Sequence, residues 1–132
     1  MRETSGTIVL VSSGAATRAY TSWGAYGGSK AAANSLIQHL AVEEPRISSI
    51  AVSPGRCDTD MQGELRKHGK GVMKDEEYDD FAKAFEEGRL NKPEVPAQVI
   101  ASLAVAAATD LSGKYLACVP PLSSLGSQLT RT

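Results

Sequence analysis

The sequence predicts an α/β fold in which a partial, doubly wound sheet of about three parallel strands is flanked by helices. Residues 7–12 and 47–53 are short runs rich in apolar and β-branched side chains. The first run shows no polar alternation, which is typical of a strand buried on both faces of a parallel sheet. A segment with helical periodicity lies between the two runs, so residues 7–53 are predicted to form a strand, helix, strand unit.

Length and composition limit the classes of protein to consider. With 132 residues, 42% of them hydrophobic and 22% charged, the chain is predicted to form a single domain over residues 1–132. The formal net charge of −1 excludes nucleic acid as the expected partner, because no excess of cations faces the phosphates. No stretch approaches the roughly 18 apolar residues of a membrane span. Two cysteines, Cys57 and Cys118, fit neither a disulfide framework nor a zinc site, which favours a reducing, cytoplasmic location without a metal.

The first helix is predicted over residues 26–44. Its apolar side chains recur at the spacing that places them on one face, and Pro45 ends it because proline disfavours helical geometry in the residue before it. The apolar positions are Ala33, Leu36, Ile37, Leu40 and Ala41. Pro54 and Gly55 then close the second strand.

Residues 56–92 carry charged side chains of both signs and are predicted to be a surface segment, part of it loosely held. One short amphipathic helix is expected inside it, since apolar side chains recur at helical spacing between the acidic residues 75–77 and Gly88. Those side chains are Tyr78, Phe81, Ala82 and Phe85.

A further helix is predicted after Pro96, which suits a first helical turn. Its expected buried stripe comprises Val99, Ile100, Leu103, Ala104 and Ala107. Residues 114–119 are predicted to form the last strand, and residues 120–132 an irregular tail. Three strands and two major helices leave one sheet edge uncovered, so part of the fold is expected to be missing.

Several groups that can carry acid–base chemistry lie near the predicted sheet edge. Tyr26 and Lys30 are four residues apart and share a helix face, where the ammonium group favours the phenolate form of the tyrosine. Ser13 follows the first strand and the loop 54–59 follows the second, so both open at the carboxyl edge, where α/β proteins bind ligands. The tyrosine–lysine spacing alone proves little, because about 0.2 such pairs are expected by chance in a chain of this composition. The prediction therefore depends on the combination.

This combination resembles the short-chain dehydrogenase/reductase family. The resemblance rests on Ser13, on the Tyr-Gly-Gly-Ser-Lys run at 26–30, and on the Ser-Pro-Gly strand end with its later threonine at 53–59. It covers residues 6–119 and implies a Rossmann-like sheet. The segment 12–26 is most similar to the sepiapterin-reductase-like branch.

The resemblance implies an NADP- or NAD-dependent oxidoreductase that reduces a carbonyl group, or oxidises an alcohol, on a small molecule. Tyr26 would donate the proton, Ser13 would polarise the substrate oxygen, and Lys30 would stabilise the phenolate and bind the nicotinamide ribose. The implied cofactor-binding residues are Tyr26, Lys30, Pro54, Gly55, Cys57 and Thr59. Residues 56–92 would form the substrate lid, with Met61 and the three aromatic side chains of the short helix available to an apolar substrate.

The sequence departs from the family's pattern before Ser13. The strand, glycine-rich turn and helix that receive the cofactor's pyrophosphate are missing there, and the glycines at 24, 27 and 28 are not that fingerprint. The chain is therefore expected to be a truncated form that corresponds to the C-terminal half of a reductase. Its independent cofactor binding and enzymatic activity stay open.

Other classes of function also stay open. The alternative is a non-catalytic interaction module, or an inactive fragment, that pairs with another chain through its uncovered strand edge. Pairing of this kind between two copies of the chain would give a homo-oligomer. A Ser/Lys hydrolase is disfavoured, since both the Gly-x-Ser-x-Gly elbow and the Ser-x-x-Lys helix are missing. Cys57 is expected to pack rather than to act as a nucleophile, and His39 and His68 have no metal-ligand companion. Trp23 and the aromatic side chains of the short helix are assigned either to packing or to a pocket wall.

Overall fold

The computed structural model describes residues 5–106 and 109–118, which form three parallel strands and four α-helices. The strands are β1 (Gly6–Val11), β2 (Ile47–Ser53) and β3 (Tyr115–Ala117), and the helices are α1 (Gly24–Glu43), α2 (Asp60–His68), α3 (Asp75–Glu86) and α4 (Glu94–Ala106). Single 3-10 turns lie at Gly14–Ala16 and Thr109–Leu111. The strand order in the described sheet is β1-β2-β3, which confirms the predicted α/β, Rossmann-like class.

β2 is the central strand, and all of its seven residues are buried. It pairs with β1 from Gly6 opposite Ile47 to Val11 opposite Val52, and with β3 at its carboxyl half. Ile50 and Val52 of β2 form a core cluster with Leu103 of α4. α1 also packs against β2 and contributes the fully buried Ile37.

β1 is half-buried, which corrects the expectation of a strand covered on both faces. β1 is an outer strand of the sheet in the part of the chain that the structure describes, with β2 on one side. Its last residue, Val11, is 45% exposed. The apolar composition predicted the strand correctly, but burial depends on neighbouring elements that composition does not reveal.

The helices differ from the prediction in several details. α1 begins at Gly24, two residues before the expected start, and Leu36 on its predicted apolar face is 52% exposed. Ala104 of α4 is exposed as well, although Leu103 beside it is buried. Ala107, Val119 and the predicted tail 120–132 lie outside the described residues.

α2 is a helix that the sequence did not predict. Only two of its side chains, Met61 and Leu65, are large and apolar, and Asp60 in the first turn and the basic residues 66–68 in the last turn complement the helix dipole. α3 corresponds to the predicted amphipathic helix, and Gly88 follows its end with a φ of +65°, a conformation that glycine adopts without strain. Residues 56–92 therefore contain more helix than the sequence predicts. None of the described helices is long and apolar enough to cross a membrane.

Substituting Ile37 should reveal how much the α1 contact stabilises the sheet. Ile37→Ala removes a side chain with 0% exposure and is expected to lower the free energy of unfolding by about 2–5 kcal/mol. Leu36→Ala is the matched control on the next residue, where half-exposure limits the expected loss to about 0.5 kcal/mol. Urea denaturation of the full chain measures both values. Equal losses in the two variants would contradict the packing described here.

Candidate functional site

A cavity of about 720 Å³ lies at the carboxyl ends of β1 and β2. Its walls come from the segment 11–15, the start of α1, the loop 53–59, the helices α2 and α3, and the start of α4. All of the predicted site residues line this one cavity, namely Ser13, Tyr26, Lys30, Pro54, Gly55, Cys57 and Thr59. Sequence elements that are up to 46 residues apart are thus brought together by the parallel strands, whose carboxyl ends meet at one edge.

The Ser13 side chain is positioned by the turn that follows β1. Ser13 caps the 3-10 turn Gly14–Ala16 in an extended conformation, and its Oγ accepts a hydrogen bond of 3.2 Å from the Ala15 backbone N–H. Since the hydroxyl acts as the acceptor there, its proton stays available for a further bond. Ser12 is instead 2% exposed and donates to the Asn34 Oδ1 at 2.6 Å, so of the two adjacent serines Ser13 is the one whose hydroxyl proton is free.

Tyr26 and Lys30 lie one turn apart on α1, as their spacing predicts. The Lys30 Nζ donates a 2.9 Å hydrogen bond to the Val11 backbone carbonyl and lies 5.8 Å from the centre of the Tyr26 ring. The ammonium group is thereby fixed between the tyrosine and the end of β1. A lysine has three N–H donors, so two of them remain for a ligand.

The loop after β2 is shaped by a residue that the sequence analysis missed. The Asn91 Nδ2 donates to the Pro54 carbonyl at 3.2 Å, and the Asn91 backbone bonds both Arg56 and Asp58. Gly55 has a φ of +77°, and a Cβ there would lie 2.9 Å from the Asn91 Nδ2, so glycine is required for this close approach. A single asparagine far along the chain carries no sequence signal for such a role.

The two cysteines lie beside this loop. The Cys57 Sγ is 3.6 Å from the Pro54 carbonyl oxygen, and the Cys118 backbone N–H bonds the Ser53 carbonyl. Burial raises the pKa of the Cys57 thiol, and burial followed by the nearby Cys57 raises the pKa of the Cys118 thiol. Both side chains therefore favour the neutral thiol, which is a poor nucleophile.

Aromatic rings form a second wall of the cavity. The centres of the Tyr20 and Trp23 rings are 5.0 Å apart, and Phe81 of α3 lies within 5.7 Å of both. Trp23 also meets the Tyr26 ring edge-on at 5.6 Å. Arg56 covers the other side of Phe81, with its guanidinium carbon 4.0 Å from the ring centre. Trp23 thus serves both in packing and as a cavity wall.

The predicted lid residues separate into two groups. Met61 and Phe81 line the cavity. Tyr78 and Phe85 contact α2 instead, since the Tyr78 hydroxyl donates to the Arg66 carbonyl at 2.9 Å and the Arg66 guanidinium lies over the Phe85 ring. Helical spacing predicted the helix but did not reveal which of its aromatic residues face the cavity.

The described residues contain no group of three or more His, Cys, Asp or Glu side chains that would hold a metal ion. His68 pairs with Glu64 at 3.3 Å on the surface of α2, and His39 is exposed on α1. Neither histidine lines the cavity.

Known proteins resemble both the sequence and this fold. A family model described as short chain dehydrogenase matches residues 1–70. An uncharacterised oxidoreductase of Saccharomyces cerevisiae is 42% identical over 123 residues, which cover 92% of this chain and 48% of that protein. A crystal structure of a short chain dehydrogenase/reductase from the same organism gives a TM-score of 0.86 at 41% identity, and the match covers 91% of this chain and 48% of that one.

Two relatives with named activities also match. A benzil reductase ((S)-benzoin forming) of Saccharomyces cerevisiae is 39% identical over 115 residues, which cover 84% of this chain and 44% of that protein. Sepiapterin reductase of Bos taurus is 45% identical over 58 residues, 44% of this chain and 22% of that protein. The chain belongs to the short-chain dehydrogenase family, which confirms the resemblance drawn from its motifs. The chain spans about half the length of the uncharacterised oxidoreductase and of the benzil reductase of Saccharomyces cerevisiae.

The raised thiol pKa values can be tested by alkylation at several pH values. Both cysteines are expected to react with iodoacetamide more slowly at neutral pH than in the urea-unfolded chain, because less thiolate is present in the fold. Their rates should keep rising above the ordinary thiol pKa of 9.0. Peptide mass spectrometry follows Cys57 and Cys118 separately. A thiol that reacts at neutral pH as fast as in the unfolded chain would contradict this assignment.

Proposed function

We propose that the chain carries the catalytic groups of an NADP- or NAD-dependent reductase that acts on small carbonyl compounds. The observation that supports this most directly is the shared cavity, in which Ser13, Tyr26 and Lys30 lie at the carboxyl edge of the sheet. A hydroxyl donor, a phenol and an ammonium group around one space are the groups that a carbonyl reduction requires.

The cavity residues suit the nicotinamide half of the cofactor. Pro54 and Gly55 offer a wall without long side chains, and Lys30 retains two N–H donors for ribose hydroxyls. The Thr59 Oγ1 makes only a 3.4 Å contact with the Cys57 carbonyl, so it is available to a carboxamide or a phosphate. When bound, the nicotinamide supplies a hydride to the carbonyl carbon.

The chain's own side chains would then manage the proton and the substrate oxygen. Ser13 donates a hydrogen bond to the carbonyl oxygen and polarises it. Tyr26 transfers its phenolic proton to that oxygen as negative charge develops there, and the adjacent Lys30 ammonium stabilises the resulting phenolate. Trp23 and Phe81 add apolar surface to the cavity wall.

The aromatic wall favours a substrate that carries an aryl group next to its carbonyl. Tyr20, Trp23 and Phe81 line the cavity, and aromatic side chains attract aromatic ligands beyond simple area burial. The similarity to a benzil reductase supports the same class, and benzil is the substrate of first choice for an assay.

Substitution of Tyr26 tests the proposed mechanism. Tyr26→Phe removes the proton donor and is expected to lower kcat for benzil reduction by about 10²- to 10⁴-fold, with the fold unchanged by circular dichroism. Tyr115→Phe removes a phenol that does not line the cavity and is the matched control. The oxidation of NADPH is measured with two proteins. One is this chain, and the other is a fusion of this chain to the part of the Saccharomyces cerevisiae oxidoreductase that it does not match. Absence of NADPH binding and turnover in both forms would refute the proposal.

The interaction-module alternative is favoured by a different observation, the outer position and half-exposure of β1 in the described sheet. An exposed parallel edge is able to accept another strand. Light scattering coupled to size exclusion tests this alternative, which predicts a mass above the 13.9 kDa of one chain that falls on dilution. A monomer at all concentrations would contradict self-association through β1.

A further inference from the structure

The helices α2 and α3 follow each other in the chain and contact each other, and together they are called the α2–α3 hairpin (60–86). The Tyr78 hydroxyl bonds the end of α2 through the Arg66 carbonyl. Gly69 between the helices is buried, and a Cβ there would lie 2.6 Å from the Leu65 carbonyl oxygen and 3.2 Å from the Tyr78 ring. Met73 is only 6% exposed. Because the connection is packed this closely, the hairpin is expected to move as one body.

The base of the hairpin is attached to the loop after β2. The two chain segments that enter and leave it are joined by a β-bridge between Cys57 and Asn91. The Asp58 N–H bonds the Asn91 carbonyl at 2.9 Å, and the Asn91 N–H bonds the Arg56 carbonyl at 2.8 Å. These bonds hold the base next to the proposed nicotinamide site.

The far end of the hairpin is attached to the segment just before α1 by two hydrogen bonds. The Ser22 Oγ donates to the Val72 carbonyl at 2.8 Å, and the Thr21 N–H donates to the Glu77 Oε2 at 3.0 Å. The Val72 side chain is 58% exposed and adds little packing, whereas Met73 beside it is buried. The two polar contacts join the far end directly to the segment before α1.

The backbone of Ser22 is strained. Its φ of +67° is the one positive value for a non-glycine residue in the ranges that the structure describes, and serine adopts this region far less readily than glycine. Such strain persists where surrounding contacts enforce it, and it is often associated with function. The strained conformation directs the Ser22 hydroxyl toward the Val72 carbonyl. The residue after Ser22 is Trp23, whose ring contacts that of Tyr26.

We propose that Ser22 is a lid-positioning residue whose hydroxyl holds the α2–α3 hairpin against the start of α1 and thereby raises the affinity for the carbonyl substrate. This inference rests on the proposed reductase function. The hairpin contributes Met61, Gln62, Leu65 and Phe81 to the cavity wall. The base of the hairpin lies next to the proposed nicotinamide site, and its far end lies at Ser22. Release of the far end would therefore alter the substrate side of the cavity and leave the nicotinamide site unchanged.

Amide hydrogen exchange of the full chain tests whether the hydroxyl holds the hairpin. Ser22→Ala is expected to speed exchange across residues 69–77 by about 3- to 10-fold, the factor that corresponds to loss of one neutral hydrogen bond. Ser22→Gly, which also relieves the backbone strain, should give the same increase. Ser102→Ala is the matched control, since it removes a 2.8 Å bond from a serine hydroxyl to the Gln98 carbonyl far from the hairpin.

Two results of this experiment would overturn the proposal. One is exchange in Ser22→Ala equal to that in Ser102→Ala. The other is faster exchange in Ser22→Ala without any increase in Ser22→Gly, because backbone strain rather than the hydroxyl would then govern the hairpin.

Kinetics with benzil and NADPH test the effect on the substrate. Ser22→Ala is expected to raise the KM for benzil about 3- to 10-fold while kcat and the Kd for NADPH change less than about 2-fold. Unchanged KM, or an equal loss in NADPH affinity, would overturn the positioning role. If no form of the protein binds NADPH or reduces benzil, the proposed function fails, and the exchange measurement still decides whether Ser22 holds the hairpin.

Discussion

The parallel pairing of β1 with β2 fixes where the candidate functional groups lie. The register from Gly6 opposite Ile47 to Val11 opposite Val52 brings both strands to their carboxyl ends at the same level. Ser13 and Pro54 follow those ends directly and so enter one cavity. All of the residues of β2 are buried, and a shift of one residue would turn Ile50 and Val52 to the opposite face, away from Leu103 of α4. The site is thus a consequence of the core.

Two side-chain bonds then fix α1 relative to the same strand end. Lys30 bonds the Val11 carbonyl and Asn34, one turn further along α1, accepts a bond from Ser12. Both partners are consecutive residues at the end of β1, so the bonds define the helix rotation as well as its position along the strand. The charged donor makes the Lys30 bond the stronger of the two. Lys30 thus has a structural role that does not depend on any ligand.

The sequence predicted the elements that follow from local pattern. The bounds of β2 agree residue for residue, and the order of Ser13, Tyr26 and Lys30 led to the correct family. α2 was missed because it is short and only Met61 and Leu65 are apolar, while its end charges and its contact with α3 do not appear in an apolar pattern. Asn91 had no local signal either, since its function is a tertiary contact with the Pro54 loop.

The contacts that attach the α2–α3 hairpin to the rest of the molecule differ in physical character. The ion pair between Arg56 and Asp80 is short, at 2.7 Å, and the hydrogen bond from Arg56 lowers the pKa of Asp80. Both side chains are partly exposed, at 27% and 51%, and such pairs contribute only about 0–1 kcal/mol because water and salt screen them. The same guanidinium lies over the face of Phe81, which is 3% exposed.

A cation over a buried aromatic ring is less accessible to screening ions than an exposed ion pair. The stacking of Arg56 on Phe81 therefore holds α3 in place more than the ion pair does, and Asp80 serves mainly to orient the guanidinium over the ring. The attachment of the far end combines the neutral hydrogen bond from Ser22 to the Val72 carbonyl with the bond from the Thr21 N–H to the Glu77 carboxylate. The hairpin therefore keeps its place over the cavity through stacking, a neutral hydrogen bond and a hydrogen bond to a carboxylate.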